Sequence, residues 1–255
     1  MILFSKKNFE LTKEFSFAWF KATDRRKILG FLWNFLNPLI ITLILLFLFQ
    51  KNFGLNKSEY FLYILIGTLA WNNLSSTIQS SITVLTWRRE MVKNIVFPKE
   101  TLVLARVGTQ LISHFIGLLI VFIFLAIFQT KVGINLLYFP AVFLLEILLI
   151  IGLSLIFAFI SVYISDMEYI WAALVRMGFF LVPIFYELKD LPPNLKNLVA
   201  INPLTQIMIF YRNCLIYNQA PNAVNFVIIL LFTLSLFGLG IFLFRRYEQH
   251  LAERV

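Results

Sequence analysis

Charge is scarce in this sequence: 14% of its 255 residues are Asp, Glu, Lys or Arg, against roughly 25% in a soluble domain. Cysteine is nearly absent. The single Cys214 rules out an internal disulfide and any Cys-based zinc or iron–sulfur site within one chain, and reads as a small packed apolar residue. Two histidines are too few for a histidine-rich metal site. No G-x-x-x-x-G-K-[ST] occurs, so the chain has no phosphate-cradling loop and does not hydrolyse ATP in that way. H-E-x-x-H, G-x-S-x-G and paired-carboxylate sites are missing as well, and no enzyme activity is expected. Residues 1–27 lack the compact apolar core and small-residue cleavage site of a signal peptide.

Apolar residues are what the sequence has in excess. They make up 60% of the chain, with a mean hydropathy of +0.84. A soluble fold of this size has no core large enough to hide them, so lipid must be the solvent. A helix needs about 20 apolar residues to cross the hydrocarbon layer. The expected fold is therefore all-α and integral to the membrane, with six spans at 28–50, 60–87, 107–130, 132–165, 169–186 and 217–244. The net charge of +9 sits in short stretches between apolar runs, which is how membrane topology is written and not how nucleic acid is bound. With both termini in the cytoplasm, inside segments hold 15 basic residues and outside segments six. Both termini are placed inside on that count.

Several stretches carry more than topology. In residues 1–27, Phe4, Phe9, Phe15, Ala18 and Trp19 can share a helical face opposite Lys6, Lys7, Lys13 and Lys21, the pattern of a helix lying in the headgroup region. From Asn72 to Thr83, nine of twelve residues are polar. Asn72, Ser76, Gln79 and Thr83 follow one helical stripe. Such a stripe faces a wet pathway or a subunit contact; the alternative is hydrogen-bonding glue between helices. Among the aromatics, Trp33, Trp71 and Phe180 are candidates for stacking on sugar rings. Glu146 and Arg176 each lie about ten residues from the outer end of a span, roughly 15 Å deep, and can pair; His114 is a rival partner for Glu146. A structural ion pair is favoured over a proton relay. The basic loop 87–101 places Arg88, Arg89, Val92 and Ile95 on one face of a short helix ending before Pro98. It either sets topology or docks a cytoplasmic partner. Residues 187–216 end in an apolar stretch of about 13 residues, too short to cross and read as re-entrant, an outer gate.

Arg26-Lys-Ile-Leu-Gly-Phe-Leu-Trp33, Leu36-Asn-Pro38, Asn94-Ile-Val-Phe-Pro-Lys-Glu100, Val162-Tyr-Ile-Ser-Asp166, Val182-Pro-Ile-Phe-Tyr186, Asn202-Pro203 and Tyr211-Arg212 occur in that order. Together they resemble the membrane subunits of ABC-2 type exporters, specifically the polysaccharide and O-antigen permeases. Ser165 and Val182 depart from the family, which often has Arg and Ser at those places. The resemblance implies a homodimer enclosing a channel in the bacterial inner membrane, each copy docked on a separate nucleotide-binding ATPase that carries ATP and Mg. Its cargo would be a lipid-linked glycan; the alternatives are a drug, a lipid or a teichoic-acid-like polymer, or a gradient-driven transporter using Glu146 and His114. It also implies that span one, the polar stripe and span five, with Tyr186 at its end, line the path. Trp87, Arg88, Arg89 and Glu90 would transmit the motor's stroke.

Overall fold

A computed structural model describes residues 6–24, 33–49, 56–94, 97–130, 133–247, 251 and 254. Among the described residues every regular element is helical: α1 (Lys6–Asp24), α2 (Trp33–Phe49), α3 (Lys57–Trp87), α4 (Arg89–Asn94), α5 (Glu100–Ile127), α6 (Phe139–Tyr163), α7 (Met167–Leu181), α8 (Pro193–Ala200), α9 (Pro203–Leu215) and α10 (Ala223–Arg246). Short 3₁₀ turns cover Ile134–Tyr138, leading into α6, and Leu188–Asp190.

Local chemistry sets many of these limits. Asn202 and Asn222 accept from the backbone N–H of Leu204 and Asn225, satisfying donors that the first turns of α9 and α10 leave unpaired. Pro193 and Pro203 occupy the first position of α8 and α9, where the missing N–H costs nothing. Val182 is extended, as the residue before a proline tends to be, and α7 stops there. Arg245 and Arg246 close α10, on the end of the dipole that favours cations.

α3 is the axis of the molecule. All residues from Tyr60 to Ala70 are buried, packed by α2, α5, α6, α7 and α9. α10 lies along α6, and two glycines set how closely. A methyl group on Gly152 would sit 2.8 Å from the backbone nitrogen of Phe237, and one on Gly240 2.7 Å from Cβ of Leu155. Small residues at a helix crossing let backbones approach, which is how helices gain van der Waals contact where lipid removes the hydrophobic drive.

Three helical segments among the described residues combine the length and apolarity to cross a bilayer: Glu100–Ile127, Ile134–Tyr163 and Ala223–Arg246. α2 contributes a shorter apolar piece, Leu36–Phe49. α3 has 31 residues, about 46 Å of helix, but its second half is polar. α7, with 15 residues, is about 22 Å long, less than a hydrocarbon core of about 30 Å. A helix overlaps each of the six stretches expected to span, but 182–186 and 217–222 are not helical, and residues 28–32, 50 and 132 lie outside the described residues.

The packed faces differ from the expectation in two places. On α1 the buried residue is Ser16, with Phe15 and Trp19 half-buried beside it, whereas Phe9 and Ala18 are exposed. Ser16 donates to the carbonyl of Ala105 at 3.0 Å and accepts through its own carbonyl from Thr109 at 3.2 Å. These polar ties to α5 set the rotation of α1. Phe4 lies outside the described residues. In the 87–101 loop, Val92 is buried in an apolar cluster with Val84, Leu85 and Leu102, while Arg88 and Arg89 are exposed. Of the three, Val92 alone packs into the core, so they do not form one uniform face; Ile95 lies outside the described residues.

Candidate functional site

The polar stretch of α3 divides by face. Ser75 and Ser76 donate to the carbonyl of Asn72, and Ser80 and Ser81 to that of Thr77, at 2.6–3.2 Å. Such bonds satisfy hydroxyl donors within the helix. Ties to other helices come from the same stretch: Trp171 Nε1 donates to the carbonyl of Ser75 at 3.0 Å, and Ser161 Oγ to that of Ile82 at 2.8 Å. The glue reading therefore describes the buried face.

The strongest tie holds four helices at one carboxylate. Glu146 on α6 is completely buried. Its Oε1 accepts from Asn73 Nδ2 on α3 at 2.8 Å, and its Oε2 accepts from the Tyr211 hydroxyl on α9 at 2.6 Å. His114 Nε2 on α5 lies 3.3 Å from the same Oε2. Buried charge is tolerated where it is paired and hydrogen-bonded. The alternative pairing of Glu146 with Arg176 does not form: Arg176 is exposed on α7 and lines a cleft with α2 and α3.

The other face of α3 borders open volume on both sides of α2. On one side, Trp33 and Asn37 of α2, Asn72, Asn73 and Ser76 of α3, and Gln110, Ser113 and His114 of α5 enclose a polar cavity of about 230 Å³. On the other, a wider cleft of about 600 Å³ runs between α2, α3 and α7. Trp71, Phe179 and Phe180 give that cleft aromatic walls, and Thr68, Asn72, Ser75 and Arg176 its polar groups. Trp71 meets Phe179 edge-on at 6.5 Å and rests so close to Gly178 that a methyl group there would lie 2.6 Å from its ring. The proposed stripe is not one continuous lining within the chain. Asn72 and Ser76 reach the cavities and Gln79 is half-buried, but Thr83 opens onto a separate pocket at the far end of α3.

Phe180 is exposed, and Tyr186, half-buried, stands past the end of α7. Tyr60 and Tyr63 of α3 donate to the carbonyls of Phe185 and Tyr186 at 2.8 and 2.7 Å, pinning this turn. Trp87, Arg88, Arg89 and Glu90 are exposed at the α3–α4 junction, accessible to a partner.

Sequence reading missed Arg212, which it counted among outside loop charges. The side chain is 2% exposed, its guanidinium carbon 3.3 Å from the centre of the Tyr63 ring. Nη2 donates to the carbonyls of Tyr63 and Ile184 at 3.1 and 3.2 Å. The available signal was its place inside the apolar stretch 204–216. α9, which carries it next to Tyr211, is anchored to α6 through one residue and to α3 through the next. Nearby, Glu187 holds the exposed Lys189 ammonium at 2.7 Å, which raises that lysine's pKa through the hydrogen bond and the opposite charge.

The family model for the ABC-2 type transporter matches residues 18–216, from the middle of α1 to the end of α9. The chain belongs to the ABC-2 type transporter family. It is thus a multi-pass membrane permease subunit, not an ATPase, of a family whose permeases work with an ATPase subunit. Curated relatives of this ABC-2 permease include the O-antigen export system permease protein RfbA of Myxococcus xanthus, 24% identical over 92% of this chain and 91% of that one. RfbA of Klebsiella pneumoniae is 23% identical over 87% and 86%. The capsule polysaccharide export inner-membrane protein CtrC of Neisseria meningitidis is 22% identical over 88% and 86%.

Proposed function

We propose that this ABC-2 permease is the channel-forming subunit of an ATP-driven exporter that moves a lipid-linked, O-antigen-like polysaccharide outward across the bacterial inner membrane. Two copies would enclose the path, each crossing six times with both termini in the cytoplasm, and each would dock a nucleotide-binding subunit at Trp87–Glu90. α8 and α9 would form the re-entrant outer gate.

The observation that carries this reading is the α2–α3–α7 cleft. Its aromatic walls offer faces for the apolar sides of sugar rings, and its amide and hydroxyl groups offer hydrogen bonds to sugar hydroxyls. Acyl chains would gain nothing from those groups. The exposed apolar residues of α2 and α7, among them Phe47, Tyr169, Met177 and Phe180, supply a surface for lipid or a second copy. The names of the relatives agree with a glycan cargo. A gradient-driven reading finds less support: Glu146 has its oxygens occupied by three partners and does not border the cleft.

Two measurements test the proposal. Purification with a co-expressed ATPase subunit should yield equal numbers of the two chains, two of each. Export of a radiolabelled lipid-linked glycan in proteoliposomes should require ATP and fall on Phe180→Ala and Asn72→Leu. Export that continues without any ATPase subunit would sink the motor-driven reading.

A further inference from the structure

At the inner end of α3, Trp19 of α1, Thr83, Val84, Trp87 and Arg88 of α3 and its cap, and Arg106 of α5 surround a pocket of about 500 Å³. Two guanidiniums converge on it over a single indole, with Arg88 Cζ 5.4 Å and Arg106 Cζ 5.6 Å from the centre of the Trp19 ring. Cation–π attraction holds both cations there but neutralises neither. No carboxylate lines the pocket among the described residues, and neither guanidinium is in an ion pair among them. Nε of Arg106 is buried without a hydrogen-bond partner. Two like charges gathered around open volume, one with an orphaned buried N–H, is the arrangement that an anion completes: guanidinium donors match phosphate oxygens in pairs.

Position says which anion. Arg106 is six residues past the start of α5, about 9 Å along the helix, with apolar spanning sequence beyond it. Trp87 is 74% exposed beside it, and α1 presents its own aromatics alongside. Indoles and arginines at the end of a spanning helix mark headgroup depth. We infer that the Trp19–Arg88–Arg106 pocket binds the phosphate of an anionic membrane-lipid headgroup, joining α1 to the α3–α4 junction. The inference needs a bilayer and not export, so it stands or falls apart from the cargo.

The test titrates the purified full chain in detergent with short-chain phosphatidylglycerol and, separately, short-chain phosphatidylcholine, by thermophoresis. Both lipids carry a phosphate, but the choline ammonium of phosphatidylcholine adds a third cation beside the two guanidiniums, so phosphatidylglycerol should bind at least about tenfold tighter. Arg106→Gln should erase that preference and Arg106→Lys retain part of it. Arg88→Gln, at an exposed position that folding tolerates, should weaken it. Lys196→Gln, a loss of exposed charge on α8, should leave it whole. The inference is overturned if the unaltered chain shows no preference, or if the preference survives both Arg106→Gln and Arg88→Gln. Displacement by sodium pyrophosphate as effective as by phosphatidylglycerol would reassign the pocket to a soluble anion. Loss of lipid preference on adding the ATPase subunit, with Arg106→Gln also losing that subunit, would reassign it to an acidic side chain of the partner.

Discussion

Replacing Glu146 by leucine keeps the approximate volume in the bundle and removes the acceptor shared by Asn73, His114 and Tyr211. The three groups left behind are not equivalent. Tyr211 is 1% exposed and borders neither cavity, so its hydroxyl would be stranded at the full desolvation penalty, about 1–3 kcal/mol. His114 and Asn73 line the 230 Å³ polar cavity, where water can replace the carboxylate. Their losses should be nearer the roughly 0.6 kcal/mol typical of interhelical hydrogen bonds in membranes. The sum is about 2–4 kcal/mol, a large share of ordinary folding stability. Reversible unfolding in a denaturing-detergent titration measures it. Tyr211→Phe alone should lose about 1 kcal/mol, and its effect should nearly vanish in the Glu146→Leu background, because the acceptor is already gone. Additive losses, or a Glu146→Leu chain as stable as the original, would refute the claim that this carboxylate ties α3, α5, α6 and α9 together.

Three more outcomes are expected. Gly152→Leu should destabilise the α6–α10 crossing by more than about 1 kcal/mol through overpacking, whereas Gly238→Leu, with nothing within 4 Å of its added Cβ, should be neutral in the same titration. Cysteine placed at Asn72 or Ser76 should react with water-soluble thiol reagents in the assembled, ATP-cycling complex, while cysteine at the fully buried Ser81 should stay inert; reversed reactivities would misplace the conduit. Arg89→Glu should lower ATPase-coupled export several-fold without changing thermal stability, since Arg89 is exposed, and an unchanged export rate would move coupling elsewhere.

The amphipathic reading of α1 shows where periodicity stops being informative. Helical spacing grouped Phe9 and Ala18 with Phe15 and Trp19, but the face that packs on α5 is centred on Ser16, whose hydroxyl reaches the Ala105 carbonyl. A polar residue inside a packed helix face is invisible to hydrophobicity and obvious to geometry. The same limit explains Arg212. Counted by charge it was an outside residue; held over Tyr63 and two backbone carbonyls it is part of the core.

What sequence alone determined was the solvent and the lengths. Apolar composition demands lipid, and in lipid every backbone group must be bonded within its own helix, so helical identity and the rough positions of the spans follow from composition. The polar content of α3 could be read for the same reason, as an exception too expensive to be accidental. Tertiary structure decided the rotation of each helix about its axis and which helices are neighbours. Residue spacing gives depth along a helix but says nothing about lateral partners. Glu146, His114 and Arg176 were therefore all legible as intramembrane charges, and only the packing of α5, α6 and α9 put His114 and Tyr211 beside the carboxylate while leaving Arg176 to the cleft.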